Sequence, residues 1–222
     1  LKASKVTILF STPLKFNIGS WVIKSRLLGI GLPFSHVTLE LLFDEKKKTY
    51  LIFECSDFGV RLINRRKFYR ENKIIRSFDF SLDQHRHEEI KDFIFKNLGH
   101  NYSVKGVLSH ATTNLFKKPI PYLKKGDKFN CCEVIFLCLK EELASYFNDF
   151  YQEYPHQIPP DILYKALLKM QRDHERERNK ESAIAKRLKR ELDSMQKISP
   201  QWEERTPLLR SENNPSPFES LQ

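Results

Sequence analysis

Through about residue 80 the apolar positions mostly alternate with polar ones; afterwards they recur at intervals of three and four. That change of period predicts strands first and helices later, an α+β chain. Lys5–Ser11 reads as a strand stopped by Pro13. Ile18–Leu28 has helical spacing, with Ile18, Trp21, Val22, Leu27 and Leu28 able to share a face, and Gly29-Ile30-Gly31-Leu32-Pro33 breaks it. In Ser35–Phe43, Val37, Leu39 and Leu41 fall on one face and His36, Thr38 and Glu40 on the other. Asp44–Lys48 is a charged turn and Thr49–Cys55 a second strand, so the two read as a hairpin. Gly59–Ile63 continues the sheet and Ile74–Phe80 offers a further strand.

A helix is expected over about 83–98, with Ser81 as cap, Gln84 completing a capping box, a stripe of Ile90, Phe93, Ile94 and Leu98, and Gly99 at its end. Tyr102–Phe116 reads as another helix, stopped before Pro119 and Pro121. The central apolar helix is placed at about 131–147, and Asp161–Met170 forms a last apolar one after the loop marked by Pro155, Pro159 and Pro160. Past Met170 the composition changes. Residues 171–197 are nearly all charged, with Ile184, Leu188, Leu192 and Met195 as a thin stripe: a projecting helix or a short coiled-coil seam. Ser199–Gln222 contains four prolines and reads as disordered. The division is therefore a domain over 1–170, a charged helical extension over 171–198 and a disordered tail over 199–222, with no internal repeat.

Composition narrows the partners. Forty per cent of the 222 residues are apolar and seventeen are phenylalanine, enough for a sizeable core. The net charge is +10, and residues 1–170, with 27 basic and 18 acidic side chains, hold +9 of it. Such a surface suits an acidic or membrane-borne substrate, or is simply well solvated. Residues 171–222 could dock an anionic membrane surface or a partner protein. Nucleic acid is disfavoured, for want of a recognised motif or a basic stripe interleaved with aromatics. No apolar run approaches the ~20 residues that span a bilayer, and Val6–Phe10 is too brief for a signal peptide. The first residue is Leu1, which leaves N-terminal processing open.

Four cysteines carry the chemistry. Cys131, Cys132 and Cys138 lie within eight residues on one predicted helix and Cys55 on a strand, which is neither a disulfide framework nor the paired spacing of a zinc site. A reducing, cytoplasmic setting follows as the simpler expectation, with no metal and no cofactor. Cys131 follows the turn-prone Lys124-Lys125-Gly126-Asp127-Lys128 and opens its helix, where unpaired N–H groups and the helix dipole favour a thiolate. A thiol nucleophile also needs an imidazole and a group to orient it. His36 at the start of its strand and Glu54 on the neighbouring strand are the candidates.

Histidine before cysteine is the reverse of the usual papain order. Here the chain resembles the circularly permuted papain-like amidases, the permuted branch of the NlpC-type cysteine peptidase superfamily. The resemblance spans about residues 5–170 and rests on four short segments: Ser35-His36-Val37; Leu51-Ile52-Phe53-Glu54-Cys55-Ser56-Asp57-Phe58-Gly59-Val60; Asn101-Tyr102-Ser103-Val104-Lys105-Gly106-Val107-Leu108; and Cys131-Cys132-Glu133. Cys132 stands where that family often has serine and Asn130 where it often has an aromatic residue. The resemblance implies an antiparallel sheet packed on a central Cys-bearing helix, with Cys131 as nucleophile, His36 as base, Glu54 as orienting carboxylate, and Tyr102 and Ser35 at the substrate pocket. It implies a cysteine hydrolase, an amidase, peptidase or thioesterase-like acyltransferase, acting through a thioester on a peptide, peptidoglycan or lipid amide or ester. The alternative is a catalytically silent module of that fold, whose basic surface and charged C-terminal helix bind a partner. Glu133 is expected to stabilise the helix start, and the histidines other than His36 are read as surface residues.

Overall fold

A computed structural model describes residues 4–15, 33–44, 46–103 and 128–203, with 196–203 as backbone only. The architecture is α+β. Five strands, β1 (Ser4–Pro13), β2 (His36–Asp44), β3 (Thr49–Ser56), β4 (Gly59–Asn64) and β5 (Asn72–Leu82), form an antiparallel sheet in the order β4-β3-β2-β1-β5. The other elements are α1 (Arg65–Glu71), α2 (Gln84–Asn97), the two-residue parallel pair β6 (Asn101–Tyr102) and β7 (Lys128–Phe129), α3 (Cys131–Cys138), α4 (Lys140–Leu143), α5 (Asp149–Glu153) and α6 (Pro160–Glu203).

The period-two pattern decides which side of the sheet takes the main core. Val6, Ile8 and Phe10 stand opposite Leu41, Leu39 and Val37, and Leu39 opposite Phe53, so one face is a continuous apolar surface. Helix α3 packs on it across β2 and β3. Phe10, Phe34, Phe78 and Tyr164 meet edge-on or tilted with ring centres 4.6–5.8 Å apart. Such pairs contribute about 0.5–1.5 kcal/mol each beyond their buried area. This cluster ties the segment leading into β2, through Phe34, to the first turns of α6.

The opposite face is covered too. Phe68 of α1 packs on Leu9 and Ile52, with Ile63 and Ile74 beside them. Helix α1 is absent from the expectations above because Phe68 is its one buried residue, so it carries no apolar stripe. Covering both faces explains why Thr38 and Glu40, on the polar side of β2, are buried as well. Glu40 is paired there by the Tyr69 hydroxyl at 2.8 Å and by Arg65 at 3.2 Å.

Three predicted boundaries are corrected. Helix α2 is capped by Asp83, whose carboxylate accepts from the Arg86 N–H, rather than by Ser81, which belongs to β5. The central helix ends at Cys138 instead of near 147: Leu139 leaves the helical region, and Arg86 Nη2 donates to the Cys138 carbonyl at 3.0 Å, satisfying a terminal oxygen. Tyr102 lies in the short strand β6 rather than at a helix start; the remainder of that predicted helix and the one at 18–28 fall outside the described residues. Among the expected surface histidines, His87 and His156 are buried.

Packing divides the chain into two units, Leu1–Gln171 and Arg172–Gln222. In the second, Ile184, Leu188, Leu192 and Met195 are each more than half exposed, and ion pairs such as Arg187–Glu191 run along the helix. The α6 backbone continues to Glu203, past the start predicted for the disordered tail, since elongating a formed helix costs little. No helix among the described residues is long and apolar enough to cross a membrane.

The turn between β3 and β4 governs how these strands meet the rest of the domain. Gly59 has φ +82°, and a Cβ built there would lie 2.5 Å from the His100 carbonyl oxygen. That same oxygen accepts from the Val60 N–H at 2.8 Å, and Gly99 N–H donates to the Val60 carbonyl at 2.9 Å, so the edge of β4 is covered. Gly59→Ala should therefore lower stability by roughly 2–3 kcal/mol in urea unfolding, from left-handed strain and backbone collision together. A loss under about 0.5 kcal/mol, the range of an inconsequential surface change, would contradict this packing.

Candidate active site

Strand register brings three charged side chains into line. Thr38 pairs with Glu54 and Glu54 pairs with Arg61, so Glu54 and Arg61 lie on one face and His36 is diagonal to Glu54 on the same face. His36 Nε2 lies 3.0 Å from Glu54 Oε2. Arg61 approaches the other carboxylate oxygen, Oε1, with Nε at 2.7 Å and Nη2 at 2.6 Å, and the Ser56 hydroxyl donates to it at 3.4 Å. Glu54 is buried, Arg61 is about one-third exposed, and its guanidinium lies 4.6 Å from the centre of the exposed Phe58 ring.

A separate set of contacts fixes the start of α3. Asn130 is its cap: Asn130 Oδ1 accepts from the Glu133 N–H at 2.9 Å and Glu133 Oε2 accepts from the Asn130 N–H at 3.3 Å. This reciprocal capping box is worth on the order of 1 kcal/mol or more. Asn130 Nδ2 also donates to the His156 carbonyl at 2.8 Å. Just before it, the Phe129 carbonyl accepts from the Ser103 N–H at 2.7 Å and from the Cys55 thiol at 3.2 Å. The chain is held on both sides of Cys131.

His36 and Cys131 are close enough that each shifts the other's titration, and because Nε2 faces Glu54, we assign Nδ1 to the sulfur. Burial alone would lower the His36 pKa. The hydrogen bonds to Cys131 and Glu54 and their negative charges outweigh it and raise the pKa to about 9. Cys131 is held well below the usual thiol range, first by the hydrogen bond from Cys132, then, against burial, by His36 and by the Val37 backbone N–H. Cys132 moves the other way: burial, then the neighbouring Cys131, keep it a thiol, suited to donate to Cys131. Glu54 stays ionised because His36 and Arg61 together overcome its burial. These directions favour an imidazolium–thiolate pair backed by a carboxylate.

The five residues singled out in the sequence fall as follows. Cys131 and Glu54 both lie beside His36, and Glu54 is hydrogen-bonded to its Nε2. Tyr102 is half-buried, paired in register with Phe129, and its phenol is kept neutral by burial and by Cys131, Cys55, Cys132 and Asp57 around it. Ser35 is buried directly before His36, its N–H donating to the Ser11 carbonyl at 3.0 Å. Cys138 is buried in the core, where burial pushes its thiol far up. Asn130 and Arg61 went unassigned in the sequence, though both left signals. Asn130 is followed three residues later by Glu133, a capping-box spacing, and a two-residue turn at Asp57-Phe58 sets Glu54 opposite Arg61.

A cleft of about 410 Å³ lies elsewhere, lined by Asp83, His85, Arg86, Glu89, Glu141 and Glu142 among others. Arg86 there is committed to Glu142, Glu89 and the Cys138 carbonyl. No group of three or more His, Cys, Asp or Glu side chains arranged to hold a metal ion occurs among the described residues. A scan against protein-family models and a comparison with curated proteins find no match for this chain.

The signs of the two shifts define a pH range. The pair is charged above the lowered Cys131 pKa and below about 9, where His36 loses its proton. Alkylation of Cys131 should therefore already be fast near pH ~6, well under the ~8.5 of a free cysteine. His36→Ala should shift the profile upward by about one pH unit or more. An unchanged profile in the variant would mean that the two side chains are not coupled.

Proposed function

We propose that this chain is a cysteine hydrolase of the permuted papain-like type, acting on an amide or ester through a thioester on Cys131. The observation that carries the proposal is the convergence of Cys131 and Glu54 on His36 at the capped start of a helix, with Glu54 hydrogen-bonded to the ring. Cys131 Sγ attacks the substrate carbonyl carbon as the carbonyl π electrons move onto oxygen. Within the first turn of α3, the Glu133 N–H goes to Asn130 Oδ1 and the Val134 N–H to the Asn130 carbonyl. The N–H groups of Cys131 and Cys132 are therefore the donors we assign to the oxyanion. Collapse of the tetrahedral species expels the amine or alkoxide, which takes the proton from His36 Nδ1. His36, now neutral, removes a proton from water or another acceptor as that oxygen or nitrogen attacks the thioester; the Cys131 thiolate departs and the charged pair is restored. Glu54 holds the ring in place and stabilises its positive form throughout.

Net positive charge on the first 171 residues fits an acidic or membrane-borne acyl donor, within the class of peptide, peptidoglycan or lipid amides and esters. The adjacent cysteines give the direct test. Successive helical side chains point about 100° apart, so one of them faces His36. Cys131→Ala should abolish labelling by an electrophilic thiol probe, together with any hydrolysis. Cys132→Ser, which keeps a donor toward Cys131, should retain both within about tenfold, the span of one pKa unit. The reverse pattern would transfer the nucleophile to Cys132. Wild-type labelling no faster than a free thiol would leave a binding module.

A further inference from the structure

We infer that Arg61 is a positioning residue: acting through Glu54, it sets the pH range over which the Cys131–His36 pair is charged. The inference deepens the hydrolase reading and rests on it. Its basis is geometric. Both Nε and Nη2 of Arg61 converge on Oε1 of Glu54, at 2.7 and 2.6 Å, and this leaves Oε2 directed at His36 Nε2, 3.0 Å away. With Oε1 held by Arg61 and Ser56 and Oε2 by His36, the carboxylate is engaged at both ends, which limits its rotation and that of the imidazole it bonds. The fork is held in turn by strand register, Glu54 opposite Arg61, and by the Phe58 ring against the guanidinium.

Charge gives Arg61 a second effect. Among the described residues, the groups that face the pair or its neighbours are Glu54, Cys55 and Ser56 on β3, Arg61 on β4, Asp57 in the turn, Tyr102 on β6, Cys132 on α3, Asp161 on α6 and the Val37 N–H on β2. Among these, Arg61 is the permanent cation, and Glu54 is the carboxylate it touches. Removing the Arg61 charge leaves Glu54 compensated by His36 alone, so nearby protons are released less readily. The thiolate forms at higher pH and the imidazolium survives to higher pH: both limits move in the same direction. A mere brace between strands would change melting behaviour without moving either limit.

The test follows two midpoints in the full-length protein: Cys131 alkylation read at that residue by mass spectrometry, and His36 titration read by nuclear magnetic resonance. In Arg61→Gln both should rise by about half a pH unit or more. In Arg61→Lys, which keeps the charge and loses the fork, both should return to within about 0.3 unit of wild type. If Arg61→Gln melts early, Arg61→Met serves instead, since it keeps an unbranched stem beside Phe58. A low wild-type thiol midpoint that neither neutral variant moves, or moves downward, overturns the inference and leaves the hydrolase reading standing. A wild-type midpoint at the free-cysteine value removes the hydrolase reading, and this inference with it.

Discussion

A carboxylate buried as deeply as Glu54 must be paired, and here it is paired on both oxygens. Leaving such a charge with one partner removed costs roughly 3–5 kcal/mol, far more than a surface ion pair contributes. Arg61 and His36 meet that requirement from the two neighbouring strands, β4 and β2. The three strands can carry these residues together only in the observed register, because a slip by one position would turn each side chain to the opposite face. Satisfying Glu54 therefore fixes the pairing of β2, β3 and β4, and with it the position of the imidazole.

The sulfur reaches the imidazole by an independent route. Helix α3 lies on the apolar face of the sheet, while the polar chain runs from the other face, so the two meet at the end of β2 where His36 begins the strand. Asn130 and Glu133 set where the helix starts, and the Phe129 carbonyl, bonded to Ser103 and Cys55, sets where the chain enters it. At this junction Cys132, His36 and the Val37 backbone all favour the charged form of the sulfur. These neighbours offset the cost of burying charge at Cys131, whereas at the similarly buried Cys138 burial dominates and pushes the thiol up, with Arg86 and Glu142 acting against one another.

Features that depend on local pattern were legible in the sequence. Alternation placed His36 and Glu54 on adjacent strands, and an apolar run after a turn placed Cys131 at a helix start. Features that depend on contacts between distant segments were not. Helix α1 has one buried side chain, so nothing periodic announces it. The end of α3 at Cys138 depends on Arg86, a residue of another helix. The strand that holds Tyr102 is two residues long and pairs with Lys128–Phe129 well downstream, so local pattern points to a helix start there instead. Arg61 occupied an intermediate case. The hairpin register that sets it against Glu54 can be counted from Asp57-Phe58, but its bearing on the site appears only once Glu54 is seen to bond His36 as well.

The central claim is that Cys131 and His36 form a charged pair near neutral pH. Thiolates absorb in the far ultraviolet where thiols do not, so titrating wild type against Cys131→Ala isolates this sulfur. Close to one thiolate equivalent is expected in the difference at pH ~7, lost only on acidification, if Cys131 is held below the ~8.5 of a free thiol. A difference that emerges only above pH ~8 would contradict the account.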